Sequence, residues 1–159
     1  MCSSDLGAQG DRGPQPDRQH RRLRTHFVSG HASLKIDTRA IAGFLKRPDP
    51  AARAVLLFGP DAGLVKERAE GLARTVLEDL SDPFRVADLT GDLLASDPAR
   101  LADEAAAMAM TGGRRVVRVR DAGNEAVEAF TNFFERPVGD ALIVVEGGEL
   151  DGQIGRAHV

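Results

Sequence analysis

The sequence predicts an α/β domain: a mostly parallel sheet with helices on both faces. Two observations point there. Short, continuous apolar runs such as Ala54-Val55-Leu56-Leu57-Phe58 and Ala141-Leu142-Ile143-Val144-Val145 are bounded by chain breakers, as strands buried on both faces are. Between such runs lie amphipathic stretches with helical spacing, and strands alternating with helices build parallel sheets through crossovers.

The elements follow in order. Ile36-Asp37 opens a short helix that Asp37 can cap, its Ile41, Phe44 and Leu45 share a face, and Pro48 and Pro50 stop it. Residues 54–58 form the first strand, and Gly59, Pro60, Asp61, Ala62 and Gly63 make the turn. A helix over 64–80 carries Val65, Ala69, Leu72, Ala73, Val76, Leu77 and Leu80 on one stripe, with Glu70 and Arg74 paired at i,i+4 on the wet side. Ser81-Asp82-Pro83 ends it, and 84–89 is the second strand. Asp97-Pro98 starts an Ala-rich helix reaching to about Met110, and Gly112-Gly113 supplies a left-handed exit. Residues 115–120 form the third strand. Asn124 caps a helix bearing Val127, Phe130, Phe133 and Phe134, Pro137 and Gly139 break it, and 141–145 is the fourth strand.

Composition narrows the chemistry. The 159 residues suffice for one domain with a core, 42% are hydrophobic, and the net charge is −3. That charge argues against a basic nucleic-acid binder as a whole. Aromatics make up 4% with no Trp or Tyr, so Ala, Val and Leu must fill the core. No apolar run approaches the ~18 residues of a membrane span, and no charged-then-apolar leader argues for export. The expected location is cytoplasmic, which the lone Cys2 fits.

Both ends read as adapter-like scars, residues 1–6 and 153–159. Back-translated, Gln153-Ile154-Gly155-Arg156-Ala157-His158-Val159 reads on the opposite strand as Val-Cys-Ser-Ser-Asp-Leu, and a GTG start codon is translated as Met. The expectation is a fragment whose natural protein continues past Gly152. Residues 7–31, with His20-Arg21-Arg22-Leu23-Arg24, show no helical or strand period and read as a disordered or mistranslated leader; a basic arm touching nucleic acid is the alternative. All four histidines and Cys2 then fall in the flanks. The domain, 32–152, lacks the parts for a Ser-His or Cys-His nucleophile, a His metal site or a CxxC pair.

The turn after the first strand is the natural ligand site of such a sheet. A phosphate-binding GxxxxGK[ST] loop counted from Gly59 would need Gly, Lys and Ser/Thr where Leu64, Val65 and Lys66 stand. Asp61 adds a negative charge inside the loop. Nucleotide hydrolysis loses its main electrostatic anchors here. The fourth strand ends in Glu146-Gly147, a poor match to a magnesium-holding Asp and better read as a solvated strand-end carboxylate.

Four blocks carry a resemblance. They are Phe44-Leu45-Lys46-Arg47-Pro48-Asp49-Pro50, the run from Arg53 to Ala69, Asp82-Pro83-Phe84-Arg85-Val86, and Gly112-Gly113-Arg114-Arg115-Val116-Val117-Arg118-Val119-Arg120-Asp121. In this order they resemble the delta subunits of bacterial DNA polymerase III, over roughly 34–150. The resemblance implies an AAA+-like fold with a degenerate nucleotide loop and no cofactor. It implies docking on the sliding clamp (the beta subunit) with no catalysis of its own. Gamma/tau and delta-prime subunits, and primed DNA reached through the complex, are the other implied partners. The clamp-gripping apolar pair falls on Met110 and Thr111, with Met108 nearby; Thr111 departs from the bulky aromatic often found there. Read without the resemblance, Met108 and Met110 are core residues of an Ala-rich helix. Alternation puts Arg114, Arg118 and Arg120 on one face. They either contact DNA phosphates or an acidic partner, or form a solvated edge paired with local carboxylates. The rival function is a P-loop ATPase or nucleotide kinase with an atypical loop; a third is a delta-prime-like subunit that never touches the clamp.

Overall fold

The computed structural model describes residues 24–29, 32–36, 38–109 and 112–148. The expected scars and residues 7–23 lie outside them, as do Asp37, Met110 and Thr111. The elements are β1 (Arg24–Ser29), β2 (Ala32–Ile36), α1 (Thr38–Lys46), β3 (Ala54–Phe58), α2 (Ala62–Arg74), β4 (Val86–Thr90), α3 (Gly91–Ser96), α4 (Arg100–Ala106), β5 (Val116–Ala122), α5 (Val127–Glu135) and β6 (Leu142–Gly147). A 3₁₀ turn, Asn124–Ala126, leads into α5.

One six-stranded sheet has the order β2-β1-β3-β6-β5-β4. The four expected strands, β3, β6, β5 and β4, are mutually parallel. Helices cover both faces, so the α/β reading holds. Alternation along each strand divides the apolar runs between two cores. Val55, Leu57, Val116, Leu142 and Val144 pack with Ile41 of α1 and with Val65, Ala69 and Leu72 of α2. Ala54, Val117, Val119, Ile143 and Val145 pack with Leu94 of α3, Leu101 and Ala105 of α4, and Phe130 and Phe133 of α5. Ala, Val and Leu supply most of both cores, as expected, and Phe58, Phe130 and Phe133 are the buried aromatics among the described residues. Among the described residues no helix is long and apolar enough to cross a membrane.

The largest correction concerns the leader. Arg24–Ser29, inside the expected disordered 7–31, is a strand that pairs antiparallel with both β2 and β3. Ile36 ends β2 instead of opening a helix. The physical cause is nonlocal. The outer edge of β3 carries backbone groups that must find partners, and β1 supplies them from Arg24 opposite Phe58 to Val28 opposite Ala54.

Helix bounds also shift. α2 stops at Arg74, short of 80: β-branched Thr75 and Val76 follow, and the Thr75 hydroxyl turns back to donate to the Leu72 carbonyl at 2.6 Å. α3 was unforeseen; Thr90 caps it by accepting from the Leu93 amide at 3.2 Å, and Leu94 is buried. Asp97 closes α3, so α4 starts only at Arg100. It ends at Ala106, where Ala107 turns extended. Arg115 donates to the Glu104 carbonyl there, at 2.9 Å. Gly112 and Gly113 have positive φ as expected, at 76° and 82°, but in the link to β5, well past the helix end.

Candidate functional site at the carboxyl ends of the strands

Parallel sheets place ligand sites beyond the carboxyl ends of their strands, where crossovers leave to opposite faces. Here β3 leads to α2 on one face and β5 to α5 on the other, with β6 between them. The candidate position in this sheet lies by the loop after β3 and the last residues of β5 and β6.

The loop after β3 is short. Gly59 is buried, while Pro60, Asp61, Ala62 and Gly63 are exposed, and Ala62 and Gly63 already belong to α2. Asp61 is the N-cap: its Oδ1 accepts from the Leu64 amide at 2.9 Å, and its carbonyl accepts from the Val65 amide at 3.0 Å. A helix N-terminus attracts anions through its free amides and dipole. In this chain the protein's own carboxylate takes that place. Lys66 is exposed on α2 with Glu67 beside it.

On the α2 side of the sheet, the strand ends turn from apolar to charged. Arg118 of β5 is buried, and its Nε and Nη2 each donate to Asp88 of β4 at 2.7 Å, a bidentate pair. Arg120, two residues on, shares Asp88 Oδ1 at 3.2 Å. Glu146 of β6 is half-buried near the same arginines. Burial pushes its carboxyl above the ordinary glutamate range, against Arg120, Arg118 and Lys66, which pull it down. On the other side of β5, the register shifts between Val119 and Ala122, and Asp121 takes a positive φ of 50°. Glu125 accepts from the Gly123 amide at 2.7 Å. No three His, Cys, Asp or Glu side chains converge as a metal centre among the described residues.

The expected site residues do not form one patch. Arg114 lies at the opposite, amino end of the strands. Its Nε donates to the Asp140 carbonyl at 2.7 Å and its Nη2 to the Ala52 carbonyl. Desolvation there lowers its pKa, with Asp140 opposing and Arg53 adding to the effect. β5 is an interior strand, not the solvated edge that was one reading of these arginines. The other half of that reading, pairing with a local carboxylate, is met for Arg118 and Arg120. Met108 is 90% exposed and lies beyond α4, so the core-helix reading fails for it. Met110 and Thr111 lie outside the described residues.

Sequence reasoning missed Asp88, and it read Arg53, Arg85 and Arg115 only as parts of the resembling blocks and of a basic strand, with no bonding role. Arg53 Nη2 reaches the carbonyls of Val138, at 2.8 Å, and Gly139; Arg85 Nη2 reaches that of Arg114 at 3.1 Å. The acceptors are distant in the chain, and no local signal marks them. Comparison with protein-family models, curated proteins and solved structures found no match.

Proposed function

We propose that the chain is a non-catalytic, AAA+-like binding module that docks on the bacterial sliding clamp. In this reading it acts as the amino-terminal domain of a polymerase III delta subunit, in the cytoplasm, while gamma/tau subunits hydrolyse ATP and delta-prime completes the assembly. The observation that carries the reading is Asp61. Its carboxylate caps α2 where a triphosphate would need free amides and a lysine. Such a loop disfavours ATP and leaves the fold to bind by its surface. Met108, almost fully exposed at the approach to β5, supports the clamp contact by its position and its adaptable thioether. A ligand-driven opening of the clamp would follow from tighter binding to the open form, since only differential affinity shifts a two-state partner.

Capture on immobilised sliding clamp tests the reading. The wild-type chain is retained, and Met108→Asp and Met110→Asp each weaken retention at least ~10-fold, as loss of an apolar anchor does. Equal retention of all three removes the site assignment, and no retention of the wild type removes the function.

A further inference from the structure

Met108 carries the clamp contact in the reading above, yet its own packing does little to place it. With 90% of its surface in solvent, it has few neighbours to lock its side chain. Its place must come from the backbone on either side.

Before Met108 stands the end of α4, at Ala106. The last turn of a helix leaves carbonyls without a partner inside it. The Asp103 carbonyl accepts from the Ala107 amide at 3.0 Å, and Ala107 then turns extended, with ψ at 132°. The Glu104 and Ala107 carbonyls are taken from outside the helix. Arg115 Nη1 donates to both, at 2.9 and 3.4 Å. Its Nη2 meets the Glu104 carboxylate at 3.3 Å, and Arg100 holds the other oxygen of that carboxylate at 2.8 Å. One guanidinium therefore grips the last turn of α4 and the residue next to Met108.

The sheet fixes Arg115 in turn. The residue is buried and directly precedes β5, and its carbonyl accepts from the Leu142 amide of β6 at 2.9 Å. The adjoining Val116 amide donates to the Arg85 carbonyl at 2.9 Å. On the far side of Met108, the Ala109 carbonyl accepts from the Gly112 amide at 3.0 Å, and Arg85 Nη2 donates to the Arg114 carbonyl at 3.1 Å. The chain that carries Met108 is thus tied to the sheet before and after it. Only a planar fork of donors can serve two carbonyls and a carboxylate at set angles, and a lysine nitrogen offers no such fork.

We infer that Arg115 is a positioning residue for the clamp contact, a role that rests on the clamp-docking reading. By holding the Ala107 carbonyl it presents Met108 to the clamp in one backbone arrangement. Arg115 is buried and acts through Met108. It reduces the conformational freedom that docking would otherwise have to remove.

A double-mutant cycle on immobilised bacterial sliding clamp tests this, with the full chain as wild type, Met108→Ala, Arg115→Met and the double variant. Arg115→Met keeps an apolar stem and removes the donors. Each single variant binds about 5-fold more weakly, and the double variant binds within ~2-fold of either single. Independent losses would instead multiply to about 25-fold, as a merely structural role requires. That result, or wild-type binding by Arg115→Met, overturns the positioning role and leaves the clamp reading standing. Amide hydrogen exchange gives a readout without the clamp. In Arg115→Met the Ala107 and Gly112 amides exchange at least ~10-fold faster, while those of β3 and β6 keep their rates. Unchanged exchange at Ala107 and Gly112 overturns the role. If β3 and β6 also exchange faster, the variant is loosened as a whole and Arg115→Lys decides, since it keeps the charge and loses the fork. Its loss of binding must then be absorbed by Met108→Ala in the same way, and additive losses overturn the role. No capture of the wild type takes away both readings.

Discussion

Arg118 and Glu146 occupy similar places near the ends of neighbouring strands, and they meet burial differently. Arg118 has a bidentate partner in Asp88, and these two hydrogen bonds replace water around its guanidinium. Glu146 is governed by desolvation, and its carboxyl is raised. A raised carboxylate binds its proton more tightly in the fold than in the unfolded chain. The stability it contributes is complete below the unfolded glutamate value of about 4.3 and is lost as pH climbs through the higher folded value. Glu146→Gln has no such loss. The variant is expected to match the wild type in urea midpoint near pH ~4 and to exceed it near pH ~7. A midpoint difference that stays constant with pH, or turns negative at pH ~7, contradicts the desolvation argument.

At the scale of elements, the joint between α4 and the approach to β6 is the tightest. Gly139 has φ +65°, and a Cβ built on it would collide with the Ala105 carbonyl oxygen. Only a residue without a side chain fits this backbone conformation and this contact. Gly139→Ala is expected to cost about 2 kcal/mol or more, because it adds left-handed strain and forces α4 off the loop. Urea denaturation measures this; a loss under ~0.5 kcal/mol would mean that the joint opens freely. The joint also shows what a sequence reveals about elements. Gly139 is visible as a breaker, and the apolar strands β3 and β6 announce themselves by composition. The end of α4 at Ala106 is not visible, because it is set by Arg115 and Gly139. Nor is α3, whose six residues depend on the Thr90 cap and one buried leucine. The β1–β2 hairpin escaped for a similar reason: its value lies in pairing with β3, and no local period expresses that.

Over the whole molecule, the parallel four-stranded core and its two helical faces were legible, because alternating apolar patterns carry that information. The site was legible only where a local rule applies. Asp61 stands out as a carboxylate in a crossover loop, and its role as the cap of α2 is local. The arginines were read together as one face from strand alternation. Their acceptors instead lie 30 residues away for Arg118 and 62 for Arg114, and the fold sends these two to opposite ends of the sheet. That separation gives the molecule two distinct ends. The carboxyl end has its helix N-terminus occupied by its own aspartate and its buried arginine paired. The amino end has arginines that hold backbone carbonyls of the strand approaches.

Melting of the wild-type chain with and without millimolar ATP and Mg²⁺ tests that division most directly. A ligand at about 100 times its dissociation constant stabilises a fold by ~2.7 kcal/mol, enough to raise the melting temperature by several degrees. The account predicts no rise, because Asp61 takes the Leu64 amide and sets a carboxylate where a triphosphate would sit. A rise of several degrees that disappears in Lys66→Ala would contradict it, and would make this chain a nucleotide-binding enzyme with an atypical loop.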